Sequence, residues 1–263
     1  MSELKVSCIN TNMYGMNSYI VSVEDEAIII DIAQLSFGYD DYVKLLEGKK
    51  LVNVLFTHGH FDHMSGADDI REIYKDTKHA VHKDDYDFFQ DANLNASGYF
   101  GRGITCQSPE IKFNDGDTFK LKDKEFKVIH TPGHTRGGVC YYTEGHLFCG
   151  DTIFAYGIGR YDLATGNYAE LENSITNIIY KLPDDTLLYP GHDAYGFKLS
   201  QRKKMGIMWF NKGTFLSNIL YILLTYKITV LALSRSVPVG YTPPVLLRLK
   251  GVLQDDRRKC LRP

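Results

Sequence analysis

The 263-residue sequence predicts an α/β protein built as a layered sandwich. Two observations carry this prediction. Short runs rich in β-branched residues alternate with segments of helical spacing in both halves of the chain, and most runs end at Gly, Asp or Pro. With 44% hydrophobic and 24% charged residues, the chain can also bury a full core. Interleaved strands and helices pack as layers because each apolar face must be covered.

The first half is predicted to begin with a hairpin. Residues 17–23 (NSYIVSV) and 26–32 (EAIIIDI) are rich in β-branched side chains and flank a tight acidic turn. A helix is predicted over 37–48, where apolar residues recur at helical spacing and a glycine closes the segment. The apolar run 51–57 (LVNVLFT) then predicts a buried strand.

A second helix and a long loop are predicted next. Residues 66–77 have acidic side chains near the start of the segment, where the helix macrodipole favours them. Residues 80–89 are typical of a short strand and helix. Residues 90–108 are polar and rich in Gly, Asn and Ser, and a loop of this length inside a compact domain is usually functional or disordered.

The second half is dominated by strands. Four β-rich runs follow one another, DTFKLK, EFKVIHT, GGVCYYT and HLFCGD. A last helix is predicted over 167–182, and it leads through Pro183 to the strand TLLYP. Strands and helices therefore alternate in this half as well, which favours the layered architecture.

Charge divides the chain near residue 204. Residues 1–204 hold 21 Lys and Arg against 30 Asp and Glu, a net charge of −9, whereas residues 205–263 hold 9 against 2, a net charge of +7. We therefore predict one domain over 1–204 and a basic, partly apolar extension over 205–263. Within the extension, residues 215–234 are long enough to span a bilayer, but the central Lys227 would cost roughly 2.5 to 3.5 kcal/mol on insertion. Membrane contact is one interpretation of this stretch, and a packed, partner-binding or poorly ordered tail is another.

Compartment and partners follow from simpler features. The N-terminus lacks a basic region followed by an apolar one, so no secretory signal is predicted. The five cysteines are scattered and none forms a CxxC pair, so reduced thiols and a cytoplasmic location are expected. The acidic domain would repel phosphate backbones, so no nucleic-acid partner is expected. The oligomeric state stays open.

One short stretch carries most of the chemistry. FTHGHFDHMSG, residues 56–66, places three histidines and one aspartate within six positions, directly after a predicted strand. Three later motifs, HTPGHTRGG, FCGDTIF and LYPGHDAYG, each place a His or Asp in a Gly-rich turn beside a strand. Strand ends of one layer point to one edge of the fold, so these side chains can converge on a metal site.

The spacing within the first motif predicts two ions rather than one. An extended backbone would direct His58 and His60 to one side, while Asp62 and His63 at the turn can point elsewhere. The later histidines could complete one site each, and the later aspartate could be shared. Imidazole with carboxylate suits zinc, and also iron or manganese, better than calcium or magnesium. A shared carboxylate would hold two ions roughly 3.5 to 4 Å apart.

The motif HxHxDH, followed in order by a His, an Asp and a His, resembles the metallo-β-lactamase fold superfamily, and in particular its glyoxalase II-like hydrolases. The resemblance covers about residues 5–204, and residues 205–263 do not match the family. It implies a four-layer αββα sandwich with a dinuclear site at one edge of two sheets. The implied ligand set divides between two ions and one bridge: His58, His60 and His134 for the first, Asp62, His63 and His192 for the second, and Asp151 between them.

The resemblance also implies a reaction. A hydroxide bridging two divalent ions would attack the carbonyl of a thioester or a related small acyl substrate, with Asp62 orienting that hydroxide and no side-chain nucleophile. The turn AYGIGR replaces the Cys-Gly-Lys-type turn of full glyoxalase II enzymes, which argues against glutathione specificity.

Four alternatives remain beside the thioester hydrolase. The ending YPGHDAYG resembles persulfide dioxygenases, oxidoreductases that use one ferrous ion, and a lactonase is a further possibility. A nuclease of the superfamily is disfavoured because only 41 positions separate Asp151 from His192, which leaves no room for a large inserted domain. The fourth is a non-enzymatic metal-binding scaffold tethered to a membrane.

Other residues carry weaker signals. Tyr99 and Phe100 in the long loop and Arg160 are the candidates for substrate contact. Asp31 ends its strand as the family's Asp does, although DIAQ follows where Pro-Gly is usual, and a role in orienting ligands is one interpretation. Cys149 is predicted to be a small buried hydrophobe. The remaining histidines match no ligand position and are predicted to be structural: His79, His82, His130 and His146.

Overall fold

The computed structural model describes residues 2–11, 14–35 and 38–205. The extension predicted at 205–263 lies, apart from its first residue, outside the described residues, and so does the apolar stretch 215–234. Within the described ranges, no helix is both long enough and apolar enough to cross a bilayer.

The strands of the described part form two sheets of six. The first sheet holds its strands in sequence order: β1 (Leu4–Asn10), β2 (Asn17–Val23), β3 (Glu26–Ile30), β4 (Lys50–Leu55), β5 (Lys78–His82) and β6 (Ile111–Phe113). The second sheet holds the later strands, also as sequential neighbours: β7 (Thr118–Leu121), β8 (Lys124–His130), β9 (Val139–Thr143), β10 (His146–Gly150), β11 (Leu187–Pro190) and β12 (Phe197–Lys198).

Strand direction changes within each sheet. In the first sheet, β1, β2 and β3 pair antiparallel, and β3 through β6 pair parallel. In the second sheet, β7 to β10 are antiparallel, β10 and β11 are parallel, and β12 is antiparallel to β11. As a result, β3 and β4 end at one edge of the first sheet, and β8, β10 and β11 end at one edge of the second.

Helical segments connect these strands. The α-helices are α1 (Asp40–Leu45), α2 (Phe61–Met64), α3 (Ala67–Ile73), α4 (Tyr168–Asn173) and α5 (Leu199–Lys204). Segments of 3-10 helix lie at Lys83–Gln90, Ser97–Phe100 and Ile179–Lys181, and a π-helical turn at Ser174–Ile178 continues α4.

Three apolar clusters show how the layers pack. Between the sheets, inward side chains of β2 such as Tyr19 and Val21 meet Phe126 and Tyr141 of the second sheet. The opposite face of the first sheet packs on α1 to α3, and the opposite face of the second sheet packs on α4 and its continuation. The order is therefore helices, sheet, sheet, helices, which confirms the predicted αββα sandwich.

Most elements lie where the sequence predicts them, with shifted ends. The helix predicted over 37–48 is shorter, at Asp40–Leu45, and the one predicted over 167–182 changes from α to π and then to 3-10 geometry. The loop predicted at 90–108 contains one 3-10 turn. Strands β1, β6 and β12 were not predicted, and β6 and β12 have too few residues to show an alternating pattern.

Candidate metal centre

The predicted ligands meet at the edge where the strands of both sheets end. His58 follows β4 of the first sheet, while His134, Asp151 and His192 follow β8, β10 and β11 of the second. The short helix α2 presents Asp62 and His63 just beyond His58. The turns that carry all seven predicted ligands therefore converge at one place, although the segments are up to 134 positions apart in sequence.

Three histidines form the first cluster. The His60 Nδ1 atom lies 2.8 Å from His134 Nε2, which in turn lies 3.2 Å from His58 Nε2. His134 Nδ1 donates to the Arg160 carbonyl oxygen at 2.7 Å, so His134 Nε2 carries a lone pair. His58 Nδ1 lies 3.0 Å from the Thr57 hydroxyl. A hydrogen bond from Nδ1 to this hydroxyl leaves the lone pair of His58 on Nε2, as in His134. The facing nitrogens of the three rings thus surround a space in which a cation could be bound.

The second cluster contains two histidines and one carboxylate. His63 Nε2 and His192 Nε2 are 3.3 Å apart, and His192 Nε2 lies 3.4 Å from Asp62 Oδ2. The other ring nitrogens are occupied: His63 Nδ1 bonds Asp31, and His192 Nδ1 bonds the Tyr14 carbonyl oxygen. Both Nε2 atoms thus point at the same space as the Asp62 carboxylate.

Asp151 lies between the two clusters. Its Oδ2 atom is 3.6 Å from His134 Nε2 and 3.5 Å from His192 Nε2, and its Oδ1 atom is 3.3 Å from His63 Nε2. The Oδ1 atom is buried and has no hydrogen-bond partner. A carboxylate reaching histidines of both clusters has the geometry of a bridging ligand.

The electrostatics of the two clusters differ. Burial lowers the pKa of His58, His60 and His134, that of His60 to about 3, so these rings are neutral at physiological pH and present lone pairs. Burial also disfavours charge on His63, but the surrounding carboxylates, led by Asp151, raise its pKa well above the usual value. Conversely, the nearby His63 holds the pKa of Asp151 below its usual range in spite of burial. The second cluster therefore attracts positive charge.

These residues fit a pair of divalent ions. Each cluster brings three nitrogen or oxygen donors within 4.8 Å of one another, a donor set that zinc, iron and manganese accept. Gly191 makes room for the closely spaced ligands, because a Cβ atom at this position would collide with Asp151 Oδ1 and lie 2.5 Å from His63 Cε1. Only glycine leaves the carboxylate room at that point.

A buried carboxylate orients ligands of both clusters. Asp31 Oδ2 accepts hydrogen bonds from the Thr57 hydroxyl at 2.7 Å and from His63 Nδ1 at 2.9 Å. The Thr57 oxygen, having donated its proton to Asp31, accepts from His58 Nδ1. Asp31 therefore fixes one histidine of each cluster, as the sequence suggested for it. It adopts a positive φ of 58° in doing so.

Asp85 is a second buried carboxylate at the site, and the sequence did not indicate it. Its Oδ2 atom accepts from Gly59 N at 2.9 Å and from the Thr135 hydroxyl at 2.7 Å, while Oδ1 accepts from Gly137 N at 2.7 Å. One side chain thus ties the turn of the first motif to the turn that follows His134. Its position in the acidic run HKDDYDFF gives no signal of this contact.

A cleft of about 470 Å³ opens onto the two clusters. Of the three residues predicted to contact substrate, Phe100 and Arg160 line this cleft, and Tyr99 lies outside its lining and is 68% exposed. The Arg160 guanidinium forms two hydrogen bonds to Asp162, at 2.8 and 3.0 Å. Tyr14 and Phe61, which were not predicted, also line it.

The remaining histidines and Cys149 lie apart from the clusters. His79 is buried beside Phe56, and His146 Nδ1 bonds the Tyr189 hydroxyl. His82 and His130 stack with ring centroids 4.3 Å apart and planes 13° apart, beside Asp84. Parallel rings direct their lone pairs along parallel lines, which suits a stack better than a shared ion. Cys149 is fully buried, its Sγ bonds the Ile153 carbonyl oxygen, and burial raises its pKa, as expected of a small hydrophobe.

Comparison with known proteins gives a consistent result. A profile of the Metallo-beta-lactamase superfamily matches residues 14–192. A probable metallo-hydrolase, YqgX of Bacillus subtilis, is 33% identical over 180 residues, which are 67% of this chain and 84% of that protein. A hydroxyacylglutathione hydrolase of Photobacterium profundum is 34% identical over 153 residues, 57% of this chain and 52% of that enzyme.

Solved structures show the same fold. The B3 metallo-beta-lactamase BLEG-1 superposes with a TM-score of 0.71 at 30% identity, covering 76% of this chain and 97% of the other. ETHE1 from Myxococcus xanthus gives 0.61 at 25% identity, covering 76% and 82%. TTHA1623, solved in a di-iron-bound form, gives 0.64 at 25% identity, covering 76% and 98%.

Proposed function

The chain belongs to the metallo-β-lactamase superfamily, and from this premise we propose that it is a dinuclear metal-dependent hydrolase of thioesters or related small acyl compounds. YqgX of Bacillus subtilis, one of its relatives, is described as a probable metallo-hydrolase. The thioester substrate, the number of ions and the ligand roles are our proposal. The observation that carries it is the position of Asp151 between two clusters of metal-binding donors.

The proposed ligand roles follow the geometry of the clusters. One ion is held by three histidines and the other by two histidines and a carboxylate, with one shared aspartate: His58, His60 and His134; Asp62, His63 and His192; and Asp151. When bound, two such ions supply a hydroxide near neutral pH and polarise a carbonyl. We favour zinc for a hydrolase, and the donor set also accepts iron or manganese.

The side chains around the ions have distinct tasks. Asp62 lines the cleft, and its carboxylate would accept a hydrogen bond from the attacking water and so orient it. Asp31 and Thr57 hold His63 and His58 in fixed tautomers. Among the described residues that line the cleft there is no Ser, Thr or Cys, which supports water as the nucleophile.

A thioester substrate is supported by one group of relatives. Hydroxyacylglutathione hydrolases are among the proteins that the chain resembles, although the alignment with the Photobacterium enzyme spans only about half of that enzyme. Fold alone does not fix substrate, so the acyl group must be found by assay. A panel with S-lactoylglutathione, simpler thioesters and lactones separates the thioester hydrolase from the lactonase alternative.

The test is hydrolysis by metal-loaded protein and its variants. We expect thioester cleavage by the wild type and a loss of about 100-fold or more in kcat/KM for Asp62→Ala and His134→Ala. His146→Gln is a matched control, since His146 begins β10 at the end away from Asp151. Undiminished hydrolysis in both ligand variants would contradict the proposal.

An oxidoreductase is the second candidate. The likeness to ETHE1 favours a persulfide dioxygenase-like reaction, and the di-iron form of TTHA1623 shows that a protein similar to this chain can hold iron. Metal analysis separates the two functions: two ions per chain with thioester turnover support the hydrolase, whereas one iron per chain with oxygen consumption on a thiol persulfide supports the oxidoreductase.

We propose that residues 1–204 are the catalytic domain. A cytoplasmic location is consistent with the free cysteines of the described part, Cys8, Cys106, Cys140 and Cys149.

A further inference from the structure

Three aromatic rings form one wall of the cleft, which we call the aromatic wall: Tyr14, Phe61 and Phe100. Each ring contacts the other two, with centroids 5.9 Å apart for Tyr14 and Phe61, 5.6 Å for Tyr14 and Phe100, and 5.4 Å for Phe61 and Phe100. The three rings come from three separate segments of the chain, so their association is a product of the fold.

The aromatic wall stands directly beside the second cluster of ligands. Phe61 immediately precedes Asp62 on α2, and the carbonyl oxygen of Tyr14 accepts the hydrogen bond from His192 Nδ1. A substrate whose carbonyl is placed at the ions therefore has the wall within the reach of its neighbouring atoms.

Two of the rings keep much of their surface exposed. Phe61 is 2% exposed and forms the buried part of the aromatic wall, whereas Tyr14 is 54% exposed and Phe100 is 45% exposed. Exposed aromatic surface next to a reactive centre is typical of a surface that a ligand covers. Internal hydrogen bonds stabilise the polar loop that carries Phe100, because the buried Asn95 side-chain amide donates to the carbonyl oxygens of Phe88 and Ile104.

The cleft offers little fixed positive charge to an anionic substrate. Among its described lining residues, one carries a permanent positive charge, Arg160, and that guanidinium is engaged by Asp162. Arg102 lies against the Phe61 ring, 5.9 Å from its centroid, and is not a lining residue. Recognition on this side of the cleft therefore depends on apolar contact.

We propose that the substrate carries an aromatic or branched aliphatic group next to the scissile carbonyl and that this group packs on Tyr14 and Phe100. The inference rests on the proposed acyl hydrolysis and names its substrate class. Covering the two exposed rings removes apolar surface from water, and stacking on aromatic rings adds to the gain. The group can belong to the acyl part or to the leaving thiol, and the experiment separates these sources.

The experiment compares matched thioesters on the metal-loaded full chain. On the acyl side, phenylacetyl and acetyl esters of N-acetylcysteamine differ only in the phenyl group. On the thiol side, the acetyl ester of benzyl mercaptan is compared with the acetyl ester of N-acetylcysteamine. Each kcat/KM is divided by the rate constant for spontaneous alkaline hydrolysis of the same ester, which removes differences in intrinsic reactivity.

We expect about a tenfold or greater preference for one of the two apolar esters. Phe100→Ala and Tyr14→Ala should each reduce that preference about fivefold, mainly through a higher KM for the preferred ester. Phe100→Leu should retain most of the preference because an apolar side chain is kept. Tyr156→Ala is the control, since Tyr156 is 63% exposed and lies outside the lining.

A binding measurement keeps this inference separate from the proposed function. Calorimetry on the zinc-loaded protein compares phenylacetate with acetate, without any turnover, and phenylacetate should bind about tenfold more tightly. Equal normalised kcat/KM values for all three esters would contradict the proposed binding role of the aromatic wall and would leave the proposed hydrolase activity standing. If no thioester is cleaved, the proposed hydrolysis is wrong, and calorimetry alone tests the aromatic wall. Equal affinities for phenylacetate and acetate would then show that the wall does not bind an apolar group.

Discussion

The Asp31 carboxylate accepts a hydrogen bond from His63 Nδ1 at 2.9 Å, and both side chains are buried. Because the Thr57 hydroxyl donates to the same carboxylate and accepts from His58, one residue controls the ring orientation in both clusters. Replacing Asp31 should therefore affect both ions together.

We predict that Asp31→Asn weakens metal binding about 10- to 100-fold. Asparagine tolerates the positive φ of this position, so the backbone is kept. Its single amide oxygen cannot replace both carboxylate oxygens, because Oδ2 accepts from the Thr57 hydroxyl and His63 while Oδ1 accepts from Thr57 N. Competition with a zinc chelator of known affinity measures the effect. Asp41→Asn, an exposed substitution on α1, should bind as the wild type does, and an Asp31→Asn affinity within twofold of the wild type would contradict the prediction.

A second prediction concerns Asp85. This carboxylate joins the turns that carry the first cluster through Gly59, Thr135 and Gly137. Asp85→Asn leaves one oxygen for three donors, so at least one buried donor loses its acceptor. The free energy of unfolding should fall by about 1 to 3 kcal/mol in urea with a chelator present. Asp84→Asn is the neighbouring control, since the Asp84 carboxylate is partly exposed, and an equal loss there would show that Asp85 has no special role.

His79 provides a test that does not involve the metal centre. Its ring is fully buried, neither ring nitrogen has a hydrogen-bond partner, and burial lowers its pKa to about 3. Because the unfolded chain binds this proton near pH 6.5, the unfolded state holds more protons below that pH, and stability falls as the solution is acidified.

We predict that His79→Leu removes part of this acid sensitivity. Between pH 7.5 and pH 5, the wild type should lose up to about 2 kcal/mol more unfolding free energy than the variant. At pH 7.5 the variant should be at least as stable, since it buries no unsatisfied nitrogen. Urea titrations at both pH values, with a chelator in every sample, give the comparison. Identical pH dependence in the two proteins would exclude His79 as a source of the effect.

The sequence predicted the layers and the candidate ligands for a clear physical reason. Alternating and helical patterns are local, and the seven candidate ligands lie in short motifs at strand ends, which the pairing of β3 with β4 and of β10 with β11 brings to one edge. Strand β12 has only two residues, which is too short for any pattern to reveal.

Contacts between distant loops could not be predicted in the same way. Asp85 meets Gly59 across 26 positions and Gly137 across 52, and no spacing within HKDDYDFF encodes those partners. Tyr14 joins the aromatic wall because its turn packs against α2 and the loop after β5, which depends on the packing of the whole edge. Tyr99 and Phe100 are adjacent in sequence, yet only Phe100 lines the cleft, since the 3-10 turn directs them differently.

The central claim is that two ions occupy adjacent sites that share Asp151. Metal content per chain, measured by mass spectrometry after metal loading and gel filtration, tests it most directly on the wild type, His134→Ala and His192→Ala. We predict two ions per chain in the wild type and about one in each variant, with thioester hydrolysis lost in both. A wild type that holds a single ion, or variants that still hold two, would contradict the account.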